Sequence, residues 1–292
     1  MDNILEVKNL SKSFQGFQLK NLNFTLERGF IMGFIGPNGA GKSTTIKLIM
    51  NLLKRDTGEI KVFGKDNLKC EKEIKNKIGF VYDENHYYEE LTVAEMKSVV
   101  APLYKHWDET TYKKYIKEFA LPEKKKIKDL SKGMKMKFSL CLALCHGADL
   151  LILDEPTSGL DPVVRSELLE ILSYIMQDEA KGVFFSTHIT SDLDKIADYI
   201  TLINNGELIF SLQKDEVLEN YSIIKGGHQF IDSNIRAEFV GLKENSFGFE
   251  GLTGNKNKIL NQLGNKIIVE KPTLEDIILY HTKNRIGGSQ YV

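Results

Sequence analysis

Residues Gly36 to Ser43 read Gly-Pro-Asn-Gly-Ala-Gly-Lys-Ser, and few octets restrict a chain so tightly. A glycine, four residues and then Gly-Lys-Ser fits a phosphate-binding loop. Such a loop needs a strand before it and a helix after it, so that backbone N–H groups and the helix N-terminus converge on an anion. The apolar run Phe30 to Ile35 reads as the buried strand, and Thr44 to Leu53 as the helix. Gly36, Gly39 and Gly41 are expected to take positive φ and to let the backbone approach phosphates closely, with Pro37, Asn38, Ala40 and Thr44 completing the cradle. Lys42 would reach the β- and γ-phosphates as a point charge, and the Ser43 hydroxyl would hold Mg²⁺. The ligand implied is a nucleoside triphosphate. The octet alone leaves the class of reaction open.

A second apolar run, Leu150 to Leu153, ends in Asp154 and Glu155. Four consecutive apolar residues suit a strand covered on both faces of a parallel sheet. Ligands of such sheets sit beyond the carboxyl ends of the strands, where these two acids fall. Asp154 can fix Mg²⁺, directly or through water, while Glu155 can polarise an attacking water at the γ-phosphate. An acidic pair closing a strand could equally cap the next segment. Its weight comes from the Pro156-Thr157-Ser158-Gly159-Leu160-Asp161 that follows.

With these motifs in order, the chain resembles the ATP-binding subunit of an ABC transporter over about its first three-quarters. Leu130-Ser131-Lys132-Gly133-Met134 stands where that family has its Leu-Ser-Gly-Gly-Gln signature, and Ser158 to Asp161 matches the D-loop. Val183 to His188 matches the strand that delivers a switch histidine, and Phe14 the aromatic that stacks on adenine, with Phe17 its nearest competitor. The resemblance implies an ATPase using ATP and Mg²⁺, with Glu155 as general base and His188 as switch. It implies that Ser131 and Gly133 face the nucleotide of a second ATPase subunit, and it counts Asp161 of the D-loop among the nucleotide-binding residues. A homodimer and a heterodimer both fit. Lys132 and Met134 depart from the pattern, where Gly and Gln are usual. A further departure is Asp83, where the flanks Ile78 to Val81 and Leu91 to Val93 lead to a glutamine. A carboxylate is a hard-oxygen ligand for Mg²⁺ but brings negative charge towards the γ-phosphate. Asp83 is therefore expected either to reach the metal through water, with Glu84 the neighbouring alternative, or only to cap a turn before Asn85.

Charge is balanced, 39 basic residues against 40 acidic, which gives no sign of a nucleic-acid partner. No apolar stretch approaches the roughly 18 residues of a spanning helix, and the N-terminus lacks the basic region of a signal peptide. The expectation is a cytoplasmic protein, peripheral on the inner face of the membrane, serving a permease on a separate polypeptide. Its layout resembles bacterial subunits of small-molecule or peptide exporters, including bacitracin-resistance systems. The alternative is a soluble ABC-type ATPase of translation or DNA maintenance, but there is one phosphate loop, no second cassette and no sustained heptads. A small-molecule kinase would not need the signature, D-loop and histidine. Cys141, Cys145 and His146 lack the second pair that a structural zinc site needs, and the cysteines read as small buried residues of a core helix.

The expected fold class is α/β: a P-loop core with an antiparallel β layer and a helical subdomain, plus a small C-terminal α+β appendage. The ATPase domain is placed at 1–213, its helical subdomain at about 84–130 and the appendage at 214–292. Ile4 to Val7 and Leu19 to Leu26 read as early strands. Thr92 to Glu95 forms a capping box, Asp108 caps the next helix, and Ser131 opens one running to about His146. Asn204-Asn205-Gly206 reads as a hairpin turn, Ala237 to Val240 and Lys266 to Val269 as strands, and Thr273 as the start of a last helix.

Overall fold

The chain opens with a long antiparallel pair, β1 (Asn3–Phe14) and β2 (Phe17–Glu27). β1 outruns the expected Ile4 to Val7 because Asn9, at φ +51, bulges it and breaks the alternation without ending the pairing. The computed structural model describes residues 2–83 and 86–283, so Met1, Glu84, Asn85 and the last nine residues lie outside the described part. It divides into two units, Met1–Leu208 and Ile209–Val292.

The first unit continues through β3 (Ile31–Ile35), α1 (Lys42–Ile49), β4 (Thr57–Val62), β5 (Lys65–Asp66), α2 (Glu71–Lys75) and β6 (Ile78–Val81). Then come α3 (Val93–Val100), α4 (Glu109–Glu118) and α5 (Lys132–Leu144). After them lie β7 (Leu150–Asp154), α6 (Pro162–Ile175), β8 (Gly182–Thr187), α7 (Thr190–Ile196) and β9 (Tyr199–Asn204). β10 (Glu207–Gln213) contains the boundary between the units. The sheet runs β5-β4-β1-β2-β10-β9-β3-β8-β7-β6. β1, β2, β4 and β5 pair antiparallel, and β9, β3, β8, β7 and β6 pair parallel. Every residue of β3, β7 and β8 is buried, as continuous apolar runs require when both faces are covered. Phe24, Phe34 and Phe184 pack together there, with ring centroids 5.1 to 6.0 Å apart. Truncating one such ring to alanine costs about 3–5 kcal/mol.

Local signals set the element ends. Gly41, at φ +113, precedes α1, which therefore starts at Lys42 rather than Thr44. α1 also stops short of Leu53, because Asn51 turns left-handed at φ +52 and Leu52 N–H bonds back to Lys47 O at 2.8 Å. Thr92 and Glu95 complete the capping box of α3, and Asp108 accepts from Thr110 N–H at the head of α4. Pro162 occupies the first turn of α6. Asn205 and Gly206, at φ +48 and +75, turn β9 into β10.

The second unit holds α8 (Lys214–Asn220), β11 (Ser222–Gly226), α9 (Ser233–Arg236), β12 (Gly241–Asn245) and β13 (Gly248–Thr253). α10 (Lys256–Leu263), β14 (Ile267–Glu270) and α11 (Leu274–Lys283) complete it. Its antiparallel sheet runs β12-β13-β11-β14 around Ile224, Phe249, Ile259 and Ile267. Residues 237–240 are not a strand: Asp232 caps α9 through Asn234 and Ile235 N–H, and the chain turns after it before β12 begins at Gly241. Thr273 and Asp276 bond reciprocally at the start of α11, burying Leu274 and Ile277, while Ile278 is only half-buried.

Candidate active site

Parallel strands deliver their functional residues at one edge. β3 leads into the glycine-rich loop, β7 into Glu155, β8 into His188 and β6 into Asp83, and these four strands are adjacent in the sheet. Beyond their carboxyl ends lies a cleft of about 580 Å³. It is lined by Pro37, Asn38, Gly39, Gly41, Lys42, Ser43 and Thr44, with Phe17, Asp83, Glu155, Ser158 and His188 around them.

The glycines have different reasons. Gly39 and Gly41 take positive φ, at +80 and +113, as expected. Gly36 does not; it is needed because a Cβ there would lie 2.2 Å from Ile203 O. Ala40 is buried beneath the loop, and its carbonyl accepts from Gly206 N–H.

Lys42 is buried at 6% side-chain exposure, and its Nζ donates to Gly36 O at 2.7 Å. The same Nζ lies 3.1 Å from Glu155 Oε1, and the second carboxylate oxygen, Oε2, lies 2.7 Å from His188 Nδ1. Glu155 thus bridges a cation of the phosphate loop and an imidazole of the next strand. Its backbone is left-handed at φ +49, a conformation costing a non-glycine residue roughly 1–2 kcal/mol. Glu155 N–H donates to Ser186 O and to Ser186 Oγ, both at 3.1 Å, which holds that turn in place.

Asp154 lies one residue deeper than the cleft lining and is buried. Ser186 Oγ donates to its Oδ1 at 2.6 Å, because β7 and β8 place Asp154 and Ser186 side by side. Burial and then the charge of Asp154 push the Tyr82 hydroxyl above its ordinary range. Ser43 is exposed on the cleft, so a hydroxyl and carboxylates supply hard oxygen donors suited to Mg²⁺. Asp83 lines the same cleft, and its Oδ1 is 3.7 Å from Lys132 Nζ. Glu84 and Asn85, named above beside it, lie outside the described residues.

Other expected site residues stand away from the cleft lining. Ser131 caps α5 by accepting from Met134 N–H at 3.2 Å. Gly133 is buried, and a Cβ there would come within 2.7 Å of Val164 on α6, so packing within the chain already demands a glycine. Asp161 caps α6 through Val163 and Val164 N–H, both at 3.1 Å. Phe14 is 42% exposed and stacks on Phe17, centroids 6.4 Å apart, while Phe17 lines the cleft.

Two supporting groups escaped the sequence reading. Ser186 is an ordinary strand serine until the register puts it beside Asp154. Buried Asp192 accepts from Thr157 Oγ1 at 2.6 Å and from Arg165 Nε at 2.5 Å, tying the turn after Glu155 to α6 and α7. Cys141 and Cys145 are buried with Sγ atoms 3.9 Å apart, and that contact with burial pushes the Cys141 thiol up. His146 is buried against Tyr104, its ring nitrogens facing Leu142 O and Ile78 O.

Residues 19–158 match the family model described as ABC transporter. The chain is 31% identical over 220 residues to the bacitracin transport ATP-binding protein BcrA of Bacillus licheniformis, covering 74% of this chain and 72% of that one. It is 33% identical to the lantibiotic transport ATP-binding protein SrtF of Streptococcus pyogenes, covering 73% and 92%. A solved structure of the ATP-binding subunit of an ABC transporter superposes with a TM-score of 0.67 at 30% identity, over 74% of this chain and 92% of that one. CbiO1 from Clostridium perfringens, part of the complex cbiONQ, gives 0.66 at 25% identity, over 75% and 92%.

Proposed function

This chain belongs to the ATP-binding subunits of ABC transporters, and on that premise we propose that it drives an exporter through ATP-dependent closure of two such subunits. The activity is that of an ATPase coupled to transport. The observation that carries the residue assignments is the bridge from Lys42 through Glu155 to His188 inside the phosphate-loop cleft.

In this reading the loop amides between Asn38 and Thr44 receive the phosphates, and Lys42 Nζ turns to the β- and γ-phosphate oxygens. Glu155 orients the attacking water and accepts its proton. His188 Nδ1–H holds Glu155 Oε2 and keeps the other oxygen towards the cleft. Ser43 and Asp154 would hold Mg²⁺, and the ion would neutralise phosphate charge. Phe17 and Phe14 together offer stacked rings for adenine.

Ser131 and the N-terminus of α5 suit a phosphate held by a second subunit, since the cleft of the same chain does not use them. With Lys42, Glu155 and His188 all in place, a homodimer would carry two complete sites. The relatives named for bacitracin and lantibiotic transport support a small-molecule or peptide cargo and export as the direction. Among the described residues no helix is long and apolar enough to cross a membrane. The transport path then belongs to a separate permease, with this subunit on the inner face of the membrane. Affinity purification of the tagged chain from native membranes tests this. A polytopic membrane protein in the eluate supports the subunit role, and its absence alongside ribosomes or DNA would contradict it.

A further inference from the structure

Two residues that depart from the ABC pattern, Asp83 and Lys132, face each other, with Oδ1 3.7 Å from Nζ. Asp83 follows β6 and lines the cleft; Lys132 is the first residue of α5. We propose that the two form one charge-paired unit that sets the affinity of the cleft for a nucleotide polyphosphate, with Lys132 as a positioning residue. The inference rests on the nucleotide reading above and concerns the same cleft.

The charges explain why a partner is needed. Among the described residues lining the cleft, Lys42 brings one positive charge, while Asp83 and Glu155 bring two negative ones. An unscreened Asp83 would repel the phosphates that Lys42 attracts. The Lys132 ammonium removes that excess without entering the lining. Other lysines of α5 are engaged elsewhere, Lys135 with Glu89 and Lys137 with Glu167.

Lys132 also lies beside a second element. Gly159, at φ +66 in the turn before α6, would place an added Cβ 3.1 Å from Lys132 Nζ. The ammonium thus lies against the turn whose Ser158 lines the cleft. One side chain spans the signature turn, the D-loop and the segment after β6. Both members of the pair are nearly half exposed, 48% and 43%, so it adds little to folding. Its effect falls on the field of the cleft.

The test is a double-mutant cycle on the full chain, titrating a slowly hydrolysed fluorescent ATP analogue with Mg²⁺ at low salt. Lys132→Met should weaken binding about tenfold, and Asp83→Asn should match or exceed wild-type affinity, because each alters the charge beside the phosphates. The double variant should return to within about twofold of wild type, and the Lys132→Met loss should shrink at about 0.5 M salt. Wild-type affinity in Lys132→Met, or an undiminished loss in the double variant, would overturn the pairing. A wild-type chain that bound no nucleotide would overturn the ATP reading itself, and the pairing with it.

Discussion

Lys42 and Glu155 are joined across the cleft, Nζ to Oε1 at 3.1 Å, with side chains only 6% and 12% exposed. In the proposed roles, the lysine meant for the phosphates is thus already paired with the carboxylate meant for the water. On the proposed roles, incoming phosphate would draw Lys42 from Glu155 and leave Glu155 held at Oε2 by His188. Nucleotide binding and arming of the base would then be one event.

Lys42→Ala should weaken ATP binding, raising Kd roughly 10- to 150-fold, since charge-assisted hydrogen bonds contribute about 1.5–3 kcal/mol. Isothermal titration with ATP and Mg²⁺ measures this. An unchanged Kd would remove Lys42 from the phosphate site.

Phe17→Ala should weaken ATP binding more than Phe14→Ala, because Phe17 lines the cleft and Phe14 leans on it from a more exposed position. The expected loss for Phe17 is at least roughly fivefold, the low end of the about 1–3 kcal/mol of one base–aromatic stack. A larger effect at Phe14 would restore it as the principal adenine contact.

His146 gives the fold a pH dependence away from the cleft. Burial lowers its pKa below the ordinary 6.5, the two backbone carbonyls opposing this only in part. The unfolded chain therefore binds a proton first as pH falls through 6.5, and stability is full above that value and lost below it. Thermal denaturation from pH 8 to 5 should show Tm falling below about pH 6.5, with a shallower fall in His146→Gln. An identical slope in the variant would show that other groups set the dependence.

Much of the site was legible because motifs end strands. Lys42, Asp154, Glu155 and His188 each follow an apolar run, and parallel pairing brings the ends of those runs to one edge. What stayed hidden depends on register and packing between distant segments. Ser186 beside Asp154, Val164 against Gly133 and Ile203 O against Gly36 are contacts that no local pattern encodes. Asn9 hid the length of β1, since a bulge disrupts alternation while pairing continues. Ala237 to Val240 misled through its apolar residues, which serve the turn after α9 and the core below it: Phe239 meets Phe249 edge-on at 5.8 Å.

The most direct measurement is steady-state ATP hydrolysis together with ATP binding in Glu155→Gln. The substitution removes the proposed base and also the charge that pairs with Lys42. Turnover should fall at least about 100-fold, the low end of general-base contributions. Kd for ATP with Mg²⁺ should equal or improve on wild type, and size-exclusion chromatography should show an ATP-dependent dimer from a chain that is monomeric without nucleotide. Wild-type turnover in Glu155→Gln would contradict the account at its centre.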